Sequence, residues 1–302
     1  MHPIVQSFHD PATFTFTHVV YDRVGGQAAI IDPVLDYDSA SASVTTTSAQ
    51  AVLDFVHGQQ LQVAWILETH AHADHLSAAA WLKERTGAPV AIGAGIAAVQ
   101  ARFKTLFGLG DEFAADGSQF DHLFQDGETF HIGELEARAL ATPGHTDDSL
   151  SYVIGDAAFV GDTVFAPETG TARVDFPGGD AHKLYRSIQA LFELPHDTRL
   201  FLCHDYPPGG RAPQALTRIA EQQARNIHVG GGRSEADFVA LRQSRDASLA
   251  APKLILPALQ VNIRAGQLPP PDANGIGYLR LPLNQLGGGL RVAGWLRWPV
   301  AC

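Results

Sequence analysis

The chain has 302 residues, 45% hydrophobic and 18% charged: enough apolar content to bury a sizeable core, and too much for global disorder. Its formal net charge of -11 argues against a nucleic-acid phosphate partner, which needs a basic face, and gives no reason to expect attraction to an anionic membrane surface. The two cysteines, Cys203 and Cys302, stand far apart, which is neither a disulfide framework nor a zinc-finger spacing.

Residues 1–16 lack a basic segment followed by an apolar one, and no run approaches the roughly 18 apolar residues of a spanning helix. The chain therefore reads as soluble and cytoplasmic. Over residues 4–34 the period-two alternation of Phe14, Phe16, His18 and Val20, and the run from Gln27 to Ile31, predict strands joined at Gly25-Gly26. Residues 36–48 read as a polar surface loop. Ser48 is a cap for a helix over 49–58, with Ala51, Val52, Phe55 and Val56 on one face. A buried strand over 63–68 follows. A helix over 76–86 stops at Gly87-Ala88-Pro89, then come a strand over 90–92, a helix over 94–104 and a loop over 107–121.

From Leu123 strands dominate: 128–132, 134–141, 149–154 and 157–160, with turns at Asp126-Gly127, Gly133 and Gly155-Asp156. Helical spacing of Leu184, Ile188, Leu191 and Phe192 predicts a helix from Asp180 or Ala181 to Leu194. A strand over 200–203 and helices over 213–227 and 234–248 come next. After Pro252 there are an apolar run (254–256), a proline-rich loop (269–271) and a tail holding Trp295 and Trp298. Two β-rich halves with helices outside predict an α/β sandwich of two sheets covered on both sides. Residues 1–250 make the catalytic domain, and 251–302 an extension packing on it.

One stretch organises the rest. After the strand 63–68 comes Glu68-Thr69-His70-Ala71-His72-Ala73-Asp74-His75. Neutral imidazole suits zinc and iron, and a carboxylate adds charge neutralisation, so this density points to a divalent metal. Further metal-type side chains follow strand ends: Thr142-Pro143-Gly144-His145-Thr146, Gly161-Asp162-Thr163 and Cys203-His204-Asp205-Tyr206, with a weaker piece at Arg173-Val174-Asp175-Phe176. Loops held by rigid strands preorganise such a site. Cys203 reads as a buried small residue and Asp175 as a loop holder. His57, His122, His131, His182 and His196 occur singly and read as solvated.

The ordered set of His70, His72, Asp74, His75, His145, Asp162 and His204 resembles the metallo-β-lactamase fold superfamily over residues 10–206. The resemblance implies a four-layer αββα sandwich with the metal centre at one edge of the sheets. Within it, the pieces around His145, Asp162, Arg173 and His204 are similar to the persulfide dioxygenases, sulfur-oxidising relatives of glyoxalase II. That likeness implies one Fe(II) held by His70, His145 and Asp162. His72, Asp74, His75 and His204 would then orient those ligands or hold a second metal, and Arg173 and Tyr206 would contact the substrate. It further implies a glutathione-type persulfide as substrate, sulfite as product, a homodimer and a sulfurtransferase partner. The sequence departs from the pattern at His228, where an arginine that binds the thiol tripeptide is expected, and in a slightly longer segment from Asp162 to Asp175. The alternative is a dinuclear zinc or iron thioester hydrolase of the glyoxalase II type. A metal-bearing binding protein without turnover is a third possibility.

Overall fold

The protein is described by a computed structural model over residues 2–286. Its first half runs β1 (Ile4–Asp10), β2 (Thr15–Tyr21), β3 (Gln27–Ile31), β4 (Val34–Asp38), β5 (Ser43–Thr45), α1 (Thr47–Gly58), β6 (Gln62–Leu67), β7 (Leu76–Ser77), α2 (Ala79–Thr86), β8 (Val90–Gly93), α3 (Ile96–Phe107) and β9 (His122–Phe124). The second half runs β10 (Thr129–Ile132), β11 (Leu135–Ala141), β12 (Leu150–Ile154), β13 (Ala157–Phe159), α4 (Ala181–Phe192), β14 (Arg199–Phe201), β15 (Leu216–Arg218), α5 (Ile219–Arg225) and α6 (Glu235–Asp246), with α7 (Ile255–Asn262) last.

Six strands form one sheet in the order β1-β2-β3-β6-β8-β9, and six form the other in the order β10-β11-β12-β13-β14-β15. Successive strand residues point to opposite faces, and three cores follow from that rule. Ala29, Ile31, Leu67 and Ala91 face the second sheet, where they meet Ile132, Ala139, Tyr152 and Phe159. Their neighbours Ala28, Ile30, Ile66 and Ile92 face outward, onto Val52, Leu82, Val99 and Leu259 of the first helical layer. Ala158 and Leu200 face the other way, onto Leu184, Ile188, Ile219 and Phe238. The result is the expected four-layer αββα sandwich. Among the described residues no helix is long and apolar enough to cross a membrane.

Four local expectations change. Residues 36–48 are not a loop throughout: β4 pairs with β5 and, across β7, builds a small third sheet. Ser48 does not cap α1. Its amide and hydroxyl donate to the Asp36 carboxylate, and the helix starts at Thr47, two residues earlier than expected. The helix expected from residue 76 begins at Ala79, because Leu76 and Ser77 pair with β4. The helix expected over 213–227 is β15 followed by the short α5. The apolar run near 254 opens α7, whose Ile255, Ala258, Leu259 and Val261 lie in the same core as α1–α3. Trp295, Trp298 and Cys302 lie outside the described residues.

A candidate metal centre at one edge of the sandwich

The β3, β6, β11, β13 and β14 ends converge, and each is followed by polar residues. Asp32 follows β3, the His70–His75 loop follows β6, His145 lies beyond β11, Asp162 beyond β13 and His204 beyond β14. The two halves are stitched here by backbone bonds: Leu150 N–H donates to the Thr69 carbonyl (2.8 Å), and Phe16 N–H to the Cys203 carbonyl (2.7 Å). Gly144 makes its turn at φ +140, and a Cβ there would lie 2.2 Å from the Leu184 amide of α4. Only glycine lets the chain pass so close to the helix while presenting His145.

All seven side chains expected at the metal are brought together. One ligand atom each from His70, His145 and Asp162 falls within 4.8 Å of the others; His72, Asp74, His75 and His204 form an adjoining group by the same measure. Except for Asp74, which is partly exposed, these residues are buried. Each imidazole is anchored through one nitrogen. His145 Nδ1 donates to the Arg173 carbonyl (2.7 Å), His70 Nδ1 bonds Thr69 Oγ1 (3.1 Å), and His72 Nε2 bonds Asp32 Oδ1 (2.9 Å). Thr15 Oγ1 lies 3.4 Å from His75 Nδ1 and 3.3 Å from His204 Nδ1. The opposite nitrogens, His72 Nδ1, His75 Nε2 and His204 Nε2, are buried without a hydrogen-bond partner, as is Asp162 Oδ1. His204 Nε2 lies 2.9 Å from Asp74 Oδ2 and 3.3 Å from Asp162 Oδ1, contacts not aligned as hydrogen bonds. Buried polar atoms that converge without pairing are costly unless a cation gathers them. The donor set therefore fits a metal ion, with room for one or two.

Electrostatics point the same way. Burial holds His70 and His72 well below the usual imidazole range, keeping them neutral as ligation requires. Burial opposes charge on His204 too, but the Asp74 and Asp162 carboxylates lift it to about 10. A metal cation would neutralise those carboxylates in place of that proton. Burial raises Asp162, and it is His204 that pulls Asp74 down against the effect of burial.

Sequence reasoning missed the groups that hold these ligands. Asp32, at φ +51 after β3, accepts from the Thr69 amide (2.7 Å), the Thr69 hydroxyl (2.9 Å) and His72. Asp148 Oδ2 accepts from the Ala71 amide (2.8 Å). Glu68, whose carboxyl is raised well above its usual range by burial and by Asp32, accepts from Ser77 Oγ. An aspartate before a proline reads as a turn, so Asp32 carried no signal beyond its place at a strand end.

A cavity of about 390 Å³ opens beside Asp74, His145 and Asp162, lined also by Phe165, Phe176 and Tyr206. Tyr206 stacks on His204 with ring centroids 5.9 Å apart. Arg173 reaches the cavity, but its guanidinium forks onto Asp175 (2.6 Å and 2.6 Å) and donates to the Ala250 carbonyl (2.7 Å). Its observed work is to hold this segment, and through its carbonyl His145, with Asp175 as the loop holder expected. His228 is buried, and its Nδ1 accepts from the Thr171 amide (2.9 Å). Cys203 is a buried thiol raised well above its usual range by burial, which leaves it protonated.

Residues 12–204 match the Metallo-beta-lactamase superfamily. A "Beta-lactamase hydrolase-like protein" of Xylella fastidiosa (strain Temecula1 / ATCC 700964) is 52% identical over 95% of this chain, which spans only 66% of that relative's length. "Glyoxylase B2" of Dictyostelium discoideum is 45% identical over 93% of this chain and 97% of its own. "Persulfide dioxygenase ETHE1, mitochondrial" of Bos taurus is 27% identical over 89% and 91%. Among solved structures, ETHE1 from Myxococcus xanthus superposes with a TM-score of 0.69 at 32% identity, covering 87% of this chain and 100% of that one. With its fold, its ordered ligand set and this match, the chain belongs to the metallo-β-lactamase superfamily.

Proposed function

We propose that the chain is an iron-dependent dioxygenase of a low-molecular-weight persulfide of the glutathione type. The observation that carries this reading is the buried group of His70, His145 and Asp162. Two imidazoles and one carboxylate with open positions are the donor set of non-haem Fe(II) oxygenases. The likenesses to the Myxococcus structure and to the bovine protein support it. The net reaction takes a persulfide, O2 and water to a thiol, sulfite and two protons. The S–S bond breaks, the outer sulfur is oxidised by four electrons, and O2 is the oxidant.

When bound, Fe(II) would supply the redox chemistry toward O2 and an open position for sulfur. The chain's own residues do the rest. Tyr206 is 42% exposed, and its phenol, raised by partial desolvation and by Asp74 and Asp162, stays a hydrogen-bond donor at the cavity wall. Phe165 and Phe176 keep water from the reacting sulfur. Arg245, exposed at the cavity wall, gives it the sign that suits a carboxylate of a glutathione-type thiol, while Arg242 behind it is paired with Asp246. The test is a product assay: glutathione persulfide should give sulfite in proportion to the O2 consumed, and no sulfite would reject the reading.

A second reading has its own observation. The partnerless Nε2 atoms of His75 and His204, beside Asp74, suffice for a second metal. Two metals would suit a thioester hydrolase of the glyoxalase II type, where a metal lowers the pKa of the attacking water; the Dictyostelium relative's name agrees with it. Hydrolysis of a lactoylglutathione-type thioester without O2 uptake would select this reading.

A further inference from the structure

Helix α7 lies beyond the residues that match the superfamily, yet it reaches the metal-binding loop. Asn262, its last residue, is 4% exposed. Its amide nitrogen donates to the carbonyls of His72 (2.7 Å) and His75 (2.8 Å), and its amide oxygen accepts from the Ser77 amide (2.8 Å). One side chain thus satisfies three backbone groups across the turn that presents His72, Asp74 and His75. No other residue type does this as well: the bonds need two N–H donors and one acceptor on a short planar group.

The surroundings hold Asn262 in turn. Gln100 on α3 donates to the Ile263 carbonyl (2.8 Å). At Gly266, φ +82, a Cβ would lie 2.9 Å from both the Ala80 amide and the Ser77 carbonyl. The chain after α7 is therefore pressed against the segment that follows the metal-binding loop. Ala258, Leu259 and Val261 fix the helix itself in the first core.

We propose that Asn262 is a positioning residue of the metal centre, through which α7 sets the shape of the 72–75 turn and so the convergence of its donor atoms. The inference rests on metal binding by the cluster and is indifferent to which reaction follows. A merely structural asparagine would lower stability alone; a positioning one changes metal affinity out of proportion to stability.

The experiment compares Co(II) affinity, by chelator competition, with the melting temperature of the metal-free chain. Asn262→Asp keeps the acceptor but places charge against two carbonyl oxygens, and Asn262→Ser is the milder change. Both should weaken Co(II) binding, Asn262→Asp by about tenfold or more, as for other groups that orient ligands. Leu256→Ala removes packing between the same helix and the first core, at a side chain that makes none of the turn's hydrogen bonds. It should lower the melting temperature while leaving Co(II) affinity within about twofold. Unchanged affinity in both Asn262 variants overturns the proposal, as does a loss in Leu256→Ala that scales with melting temperature in the same way. A wild-type chain without Co(II) affinity would instead overturn the metal reading beneath it.

Discussion

Asp32 shows how much of this centre depends on residues that do not touch the metal. Its carboxylate holds the Thr69 amide and hydroxyl and fixes His72 through Nε2, leaving Nδ1 toward the cluster. Asp32→Ala should weaken metal binding roughly 10–100-fold, the range seen when a group that orients a ligand is lost. It should also cost about 1–3 kcal/mol, because a buried amide is left unpaired; chelator competition and denaturant unfolding read the two effects. At His228, burial and then the nearby Arg242 lower the imidazole to about 4. The unfolded chain takes up this proton first as pH falls, so the neutral form's contribution is present above about 6.5 and is lost as pH drops toward 4. His228→Asn should therefore flatten the loss of unfolding free energy between pH 6.5 and 4, measured by denaturant titration; a slope equal to wild type would contradict the assignment.

At the scale of elements, α6 braces the ligand segment from behind. Arg242 and Asp246, one turn apart and 3% and 5% exposed, pair with each other. Asp246 accepts from the Val174 amide (2.9 Å), and Arg242 donates to the Thr171 carbonyl (3.0 Å), so the pair clamps the backbone on both sides of Arg173. Arg242→Leu should destabilise the fold by roughly 3–5 kcal/mol, since it strands a buried carboxylate, while the double change Arg242→Leu with Asp246→Leu should lose less. Equal losses in the single and double variants would show that the charge pairing is not what matters. Sequence patterning located the strands that carry the ligands, because Ile30, Ile66 and Leu67 are buried on sheet faces. It did not find β4, β5 and β7: β4 buries only Val34 and Leu35 before turning polar, β5 is exposed throughout, and β7 is two residues long, so none prints a period. Nor did it find α7 as a helix: an apolar helix buried nearly all round has no polar stripe to show its period.

For the whole molecule, the candidate metal centre draws its side chains from two halves. His70, His72, Asp74 and His75 come from the first, and His145, Asp162 and His204 from the second. Their order along the chain was legible because each follows a strand end. The holding contacts of Asp32, Asp148 and Asn262 were not, since they join residues far apart in sequence whose types are ordinary at turns and helix ends. Because only the folded chain assembles the site, metal at a hundredfold excess over its dissociation constant should add about 2.7 kcal/mol to stability. Stripping with a chelator should lower the melting temperature accordingly, and refilling should restore it. The most direct measurement of the central claim is the tightly held iron per chain after anaerobic loading, in the wild type and in Asp74→Ala. A single iron in both, with O2 uptake on adding glutathione persulfide, is the predicted result. Two irons in the wild type falling to one in Asp74→Ala, with no O2 uptake, would contradict it.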